Sequence, residues 1–316
     1  MGVAVDSFFI GGFFLIFGLV ALGFVVYVWL NRGRPNAIPP SHPPESIEEL
    51  VPESRYIEVD GVKLHYIQAG EGSDVVLLHG IGASIFIWRF LFPILQMRHR
   101  LTAIDIAGFG KSAKEARLDY GLDSQTELLL KAVEKIGIEK AFLVGSSMGG
   151  AIALWMARRA PEIFEKVAAL APATDASLVS PFVHRLAPFA PFFKPTMTRA
   201  TMKRLLSAVI TKRELITEDA LDKYLEPFRE RASFRTFIAA TSLLSDRRLP
   251  SQLVDLKSRV LVIWGAGDLS VPRRSIDRLM TILPSAELVV HESGGHHIME
   301  DEPVWLAKQL EVFFAG

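Results

Sequence analysis

The chain of 316 residues contains no cysteine. That absence removes disulfides, thiolate nucleophiles and thiolate-held metals together. It also lacks an excess of either charge, with 35 basic and 35 acidic side chains. Such a balance offers no electrostatic footprint for nucleic acid, and no block of like charge marks a disordered tail. A third absence is local: from Phe8 to Leu30 the sequence FFIGGFFLIFGLVALGFVVYVWL runs for 23 residues without a charge. As a helix it would be roughly 34 Å long, enough to cross a hydrocarbon core of about 30 Å.

Tyr27 and Trp29 stand near one end of this run, where amphipathic rings favour a bilayer interface. A cleaved signal peptide would want a basic leader and a shorter apolar stretch, but Asp6 is the only charged side chain ahead of the run. The expectation is a retained transmembrane anchor over 8–30. Arg32 and Arg34 follow it and no basic residue precedes it, which places the rest of a single-pass protein on the cytoplasmic side. Residues 31–50 then form a spacer. Five prolines lie between Asn31 and Ser46, and they favour extended polyproline conformation over helix.

Beyond the spacer, short β-rich runs recur: RYIEV (55–59), VKLHYIQ (62–68), DVVLLH (74–79), RLTAI (100–104), KAFLVG (140–145), KVAALA (166–171), RVLVIW (259–264) and AELVVH (286–291). Asp60-Gly61 between the first two is a hairpin signal. The later runs are nearly continuous in apolar residues, as strands covered on both faces must be. Helical spacing between them, as in SQTELLLKAVEKIG (124–137) with Gly137 as its stop, indicates an α/β fold. The alternation breaks between strands six and seven, where 172–250 is too long for a crossover and is expected to fold as a largely helical cap. The core is then 51–171 together with 251–316.

GSSMG at 145–149 fits G-x-S-x-G, a pattern that chance supplies roughly 0.1 times in such a chain given ordinary glycine and serine usage. Its setting sharpens it, because it closes an apolar strand and opens a helix, as a nucleophile elbow requires. Ser147 is the candidate nucleophile. A serine hydroxyl needs a base, and the loop ESGGHHIMEDEP after the last strand offers His296 and His297. The same letters also allow a metal reading, which no second histidine cluster supports. Asp268, directly after strand seven, is the acid expected to orient the base, with Asp175 after strand six as the fallback. Ser147, Asp268 and His296 follow the Ser…Asp…His chain order. HGIGAS, starting at His79, and the helix start after Ser147 provide backbone donors, so the N–H groups of Ile81 and Met148 are the expected oxyanion hole. His79 itself is expected to be structural.

Four blocks in this order, HGIGAS, DIAGFGKS (105–112), GSSMGG, and WGAGDLSVP with GGHHIMEDEP, resemble the α/β-hydrolase superfamily over about 52–316. The resemblance implies an eight-stranded, mostly parallel sheet with a helical cap. It also selects His296 as the base, since Gly-His followed seven residues later by Pro303 is the family's usual spacing. Serine at the elbow points away from the branches that use aspartate. With the expected anchor, the chain looks most like monoacylglycerol lipase-type members. It is also similar to the serine C–C bond hydrolases of aromatic degradation. The function this implies is a membrane-anchored serine ester hydrolase acting on lipid-like acyl esters, with the bilayer as partner and no cofactor or metal. A C–C hydrolase, a perhydrolase, an acyltransferase or a non-catalytic binding protein on the same fold are the alternatives.

Overall fold

The computed structural model describes residues 53–179, 182–192, 197–246 and 248–316. The expected anchor at 8–30 and the spacer at 31–50 lie outside the described residues. Among the described residues no helix is long and apolar enough to cross a membrane.

Eight strands form one sheet in the order β1-β2-β4-β3-β5-β6-β7-β8. They are β1 (Arg55–Val59), β2 (Val62–Ala69), β3 (Ser73–Leu78), β4 (His99–Ile104), β5 (Ala141–Ser146), β6 (Lys166–Leu170), β7 (Arg259–Gly265) and β8 (Glu287–His291). The first two join through Asp60 (φ 50°) and Gly61 (φ 79°), the paired left-handed conformations of a hairpin turn whose twist suits its strands. β1 and β2 pair antiparallel, as do β2 and β4, and every later pairing is parallel.

Among the described residues the α-helices of eight residues or more are α1 (Leu122–Ile136), α2 (Met148–Arg159), α3 (Arg199–Val209), α4 (Glu218–Leu225), α5 (Arg231–Leu244), α6 (Arg273–Ile282) and α7 (Pro303–Ala315). Alternate residues of the parallel strands enter different cores. Val76, Leu78, Leu143 and Val262 pack with α1, α2 and α6. Val75, Leu77, Val144, Leu261 and Ile263 pack with α3, α4 and α7. Burial on both faces explains why these strands read as continuous apolar runs. Each fully buried Leu, Ile or Phe contributes roughly 1.5–3 kcal/mol relative to exposure.

Between β6 and β7 the chain makes α3, α4 and α5, yet Leu170 still pairs with Ile263 in the sheet. The insertion therefore leaves the ladder intact. It emerges at the carboxyl end of the parallel strands, where open α/β sheets place their binding crevices.

α1 starts two residues earlier than the pattern suggested and ends at Gly137, which adopts φ 85° and donates to the Glu134 carbonyl oxygen. A Cβ at Gly137 would meet nothing within 4 Å, so only its backbone conformation matters. Replacing Gly137 by Ala is expected to cost about 1 kcal/mol through left-handed strain alone. Urea unfolding should show a lower midpoint with an unchanged slope.

Candidate active site

β5 ends at Ser146 and α2 begins at Met148, so Ser147 alone makes the turn. Its backbone sits at φ 54°, ψ −116°, outside the regions open to ordinary L-residues. Surrounding bonds hold it there. Ser147 N–H donates to Leu170 O at 2.9 Å, and its carbonyl accepts from Ala173 at 3.0 Å and Ala151 at 3.1 Å. The turn also depends on bare backbone. A Cβ on Gly145 would lie 2.2 Å from Gly149 O, and one on Gly149 would lie 2.3 Å from Leu78 O.

The loop after β3 stands beside this serine. A Cβ on Gly80 would be 3.2 Å from Ser147 Cβ and 3.8 Å from its Oγ, which puts the Gly80–Ile81 backbone at the nucleophile candidate. Met148 supplies the first N–H of α2, a donor with no partner inside its own helix and at the positive end of the dipole.

His79 secures the near end of that loop. Its Nδ1 lies 2.7 Å from Gly80 O and its Nε2 accepts from Ile106 N–H at 3.0 Å, which assigns the neutral tautomer. Burial pushes its pKa below the ordinary imidazole value. Asp105 secures the far end, accepting from Ile85 N–H at 2.8 Å, and also from Lys111 N–H at 2.8 Å and from His65 Nδ1 at 2.7 Å. Burial opposes the Asp105 charge, but the hydrogen bonds from His65 and from Lys111 N–H hold its carboxyl below the usual range. Sequence reading met Asp105 only as a letter in a family block. Its buried hub role has no local signal, since its partners come from positions 65, 85 and 111.

Asp268 follows β7. Its Oδ1 accepts from Ser270 N–H at 2.7 Å and Val271 N–H at 2.9 Å, which fixes the carboxylate and leaves Oδ2 free to face His296 Nδ1 at 2.7 Å. Nδ1 therefore carries the proton, and the Nε2 lone pair is left for a reacting group. Asp175 is engaged elsewhere: its Oδ2 accepts from Ser275 Oγ at 2.9 Å and Arg278 Nη1 at 2.7 Å, both on α6. Ser147, Asp268 and His296 thus sit just past the carboxyl ends of the parallel strands β5, β7 and β8, and all three are buried.

His297 is not idle. Its Nδ1 lies 2.5 Å from Glu300 Oε2, which also accepts from Tyr224 Oη at 2.5 Å, while Glu300 Oε1 is bonded by Arg89. Burial opposes the Glu300 charge, but Arg89 and then His297 outweigh it and bring its pKa down to about 2. Tyr224 is held well above its ordinary value by burial and by that same carboxylate. Asp301, the next carboxylate, accepts from Gly295, Thr211 and Lys212 N–H groups. Burial nonetheless pushes its pKa up. All three acids of HHIMEDE are thus engaged within the protein, Glu302 through Lys212 Nζ at 3.0 Å.

Phe228 and Phe237 come from the inserted segment and pack over the loop, within 3.4 Å of a Cβ placed on Gly82. They form an apolar roof over that loop. Arg89 is buried, and Glu300 neutralises it.

The sequence profile of the alpha/beta hydrolase fold family matches residues 75–303. An uncharacterised hydrolase of Bacillus subtilis (strain 168), YugF, is 29% identical over 84% of this chain and 99% of its own length. The 2-hydroxy-6-oxo-6-phenylhexa-2,4-dienoate hydrolase of Burkholderia cepacia is 31% identical over 74% of this chain and 85% of its own. Among solved structures, the meta-cleavage product hydrolase of Pseudomonas fluorescens IP01, complexed with acetates, superposes with TM-score 0.71 at 25% identity, covering 83% of this chain and 97% of that one. The monoacylglycerol lipase-type likeness expected from the motifs is not what these proteins are named for. The activities they are named for are hydrolysis of a 2-hydroxy-6-oxo dienoate and of a meta-cleavage product.

Glu300 titrates near 2 in the fold against an ordinary 4.5, so its contribution is complete above pH 4.5 and disappears as pH falls toward 2. The shift corresponds to about 3 kcal/mol at most. Urea unfolding over this pH window should show a steeper loss for the wild type than for Glu300→Gln. The variant should be less stable at neutral pH because Arg89 is left unpaired. Parallel pH profiles would contradict the assignment.

Proposed function

The chain belongs to the α/β-hydrolase fold family, and from that premise we propose that it is a serine hydrolase cleaving carboxylic esters of uncharged, lipid-like acyl groups. The observation that carries this reading is the His296 Nδ1 contact with Asp268 Oδ2 at 2.7 Å, at the same carboxyl end of the parallel strands as the strained Ser147. In this reading Ser147 Oγ attacks the ester carbonyl as its proton passes to His296 Nε2. The N–H groups of Ile81 and Met148 take the oxyanion, and losing one such donor typically costs about 3 kcal/mol of transition-state stabilisation. The protonated His296 then gives its proton to the leaving alcohol. Water, activated by the same nitrogen, releases the acid and frees Ser147. Asp268 holds the tautomer throughout. None of these steps calls on a cofactor or a metal.

The apolar roof of Phe228 and Phe237 supports an uncharged acyl group. So does the pairing of Arg89 with Glu300, which leaves that buried cation no charge to offer a substrate carboxylate. We further propose that residues 8–30 anchor the enzyme to a bilayer, with the catalytic part on the cytoplasmic side, where lipid esters partition.

A second reading, C–C bond hydrolysis by the same three residues, is favoured by the names of the relatives. A dienoate substrate carries a carboxylate, so the two readings separate on charge. Activity rising along a series of p-nitrophenyl esters of increasing chain length, with no turnover of 2-hydroxy-6-oxo-6-phenylhexa-2,4-dienoate, is the expected outcome. The reverse preference would establish the second reading.

A fluorophosphonate probe should label the wild type and fail on Ser147→Ala. His296→Ala should reduce turnover about a thousandfold or more. His297→Ala should leave substantially more activity, and equal losses in the two variants would sink the choice of base.

A further inference from the structure

We propose that Asp301 is a positioning residue for His296, and that it holds the histidine in register only while the inserted segment between β6 and β7 is seated. The inference rests on the hydrolase reading above. Asp268 orients the imidazole, but something must also hold the backbone that carries it. Gly294 and Gly295 precede His296, and two glycines leave that backbone free to wander unless it is pinned.

The pins are specific. Gly295 N–H, immediately before His296, donates to Asp301 Oδ2 at 2.8 Å. His297 N–H, immediately after it, donates to Val209 O at 2.8 Å. Val209 is the last residue of α3, in the inserted segment. The same segment supplies the remaining partners of Asp301: Thr211 N–H at 2.9 Å from Oδ1 and 3.1 Å from Oδ2, and Lys212 N–H at 3.0 Å from Oδ1. Thr211 Oγ1 also donates to Ser293 O at 3.2 Å. One buried carboxylate therefore joins two backbones, the histidine loop on one side and the insertion on the other.

The fit is close enough to exclude a side chain at Gly295. A Cβ there would lie 2.9 Å from each of Asp301 Oδ2, Thr211 Cγ2 and Val209 O. Tyr224, also in the insertion, makes a second tie to the loop through Glu300. A fully buried acid needs its donors. If the insertion lifts away, Asp301 loses Thr211 and Lys212, and Gly295 alone remains to satisfy it. The carboxylate then ties the loop only to itself and no longer to the insertion, and the base drifts from the serine. Productive alignment thereby becomes conditional on a closed site.

Asp301→Asn tests this directly. An asparagine has one acceptor oxygen, so it can hold the loop or the insertion but not both. Steady-state kinetics with a p-nitrophenyl ester, normalised by burst titration to intact sites, should show kcat reduced about 10- to 100-fold with KM little changed. The low-field proton NMR signal of His296 Nδ1–H should shift or broaden. Asp301→Glu, which keeps both oxygens and the charge, should recover most of kcat per site. A kcat per site equal to wild type in Asp301→Asn, with only the yield of folded protein reduced, would overturn the proposal, as would a Glu variant no better than the Asn one. A wild-type chain that neither labels with fluorophosphonate nor turns over esters would overturn the hydrolase reading instead, and this one with it.

Discussion

The close approach of β5 and α2 around Ser147 is the constraint on which the rest of the structure depends. One residue turns a strand into a helix, and it does so at φ 54°, ψ −116°. A conformation of that kind costs of order 1–3 kcal/mol, so the surroundings must over-determine it. They do so with backbone alone: Gly145 against Gly149, Gly149 against the Leu78 and His79 carbonyls, and Leu170 and Ala173 bonded to Ser147. The strain in turn puts the hydroxyl beside the first N–H groups of a helix. Relaxing the turn would remove the nucleophile candidate and the oxyanion candidate together.

Two buried hubs sit on either side of that turn and do different work. Asp105 gathers backbone N–H groups and His65, and through Ile85 it sets the loop that faces Ser147. Glu300 and Asp301 do the equivalent for the histidine loop, with partners drawn from Arg89 and from the inserted segment. Each hub is an acceptor supplied with donors from several elements, as a buried charge requires. The functional groups themselves come from loops, while the carboxylates that fix those loops come from the adjoining turns.

How much of this could be read from letters follows from the range of each interaction. The eight strands were legible because a sheet covered on both faces demands uninterrupted apolar runs, and the hairpin was legible because Asp60-Gly61 is a local instruction. Ser147, Asp268 and His296 could be picked out because each follows a strand and has a glycine close by. Chain order does not separate Asp268 from Asp175, since both fall between Ser147 and His296; Asp268 follows its strand directly, and what separates them in space is that Asp175 is bound by Arg278 and Ser275. The Arg89–Glu300 pair, 211 residues apart in sequence, left no trace in any local pattern. Glu300 and Asp301 were visible only as acids beside histidines, which is why a metal reading suggested itself. Residues 8–50 carry the clearest compositional signal in the chain, and the structure describes none of them.

The strapping of Val209, Thr211 and Lys212 to the histidine loop bears on how such a protein can change over evolutionary time. An insertion that leaves the β6–β7 ladder intact looks like an exchangeable part, free to be replaced wholesale when a new substrate must be accommodated. Here the part carries backbone groups that seat a catalytic candidate. A replacement would inherit that duty along with the new pocket, and would have to present N–H donors at the same two places. Substrate range and catalytic competence are therefore inherited as one unit in this chain, and drift in the roof is limited by a carboxylate beneath it.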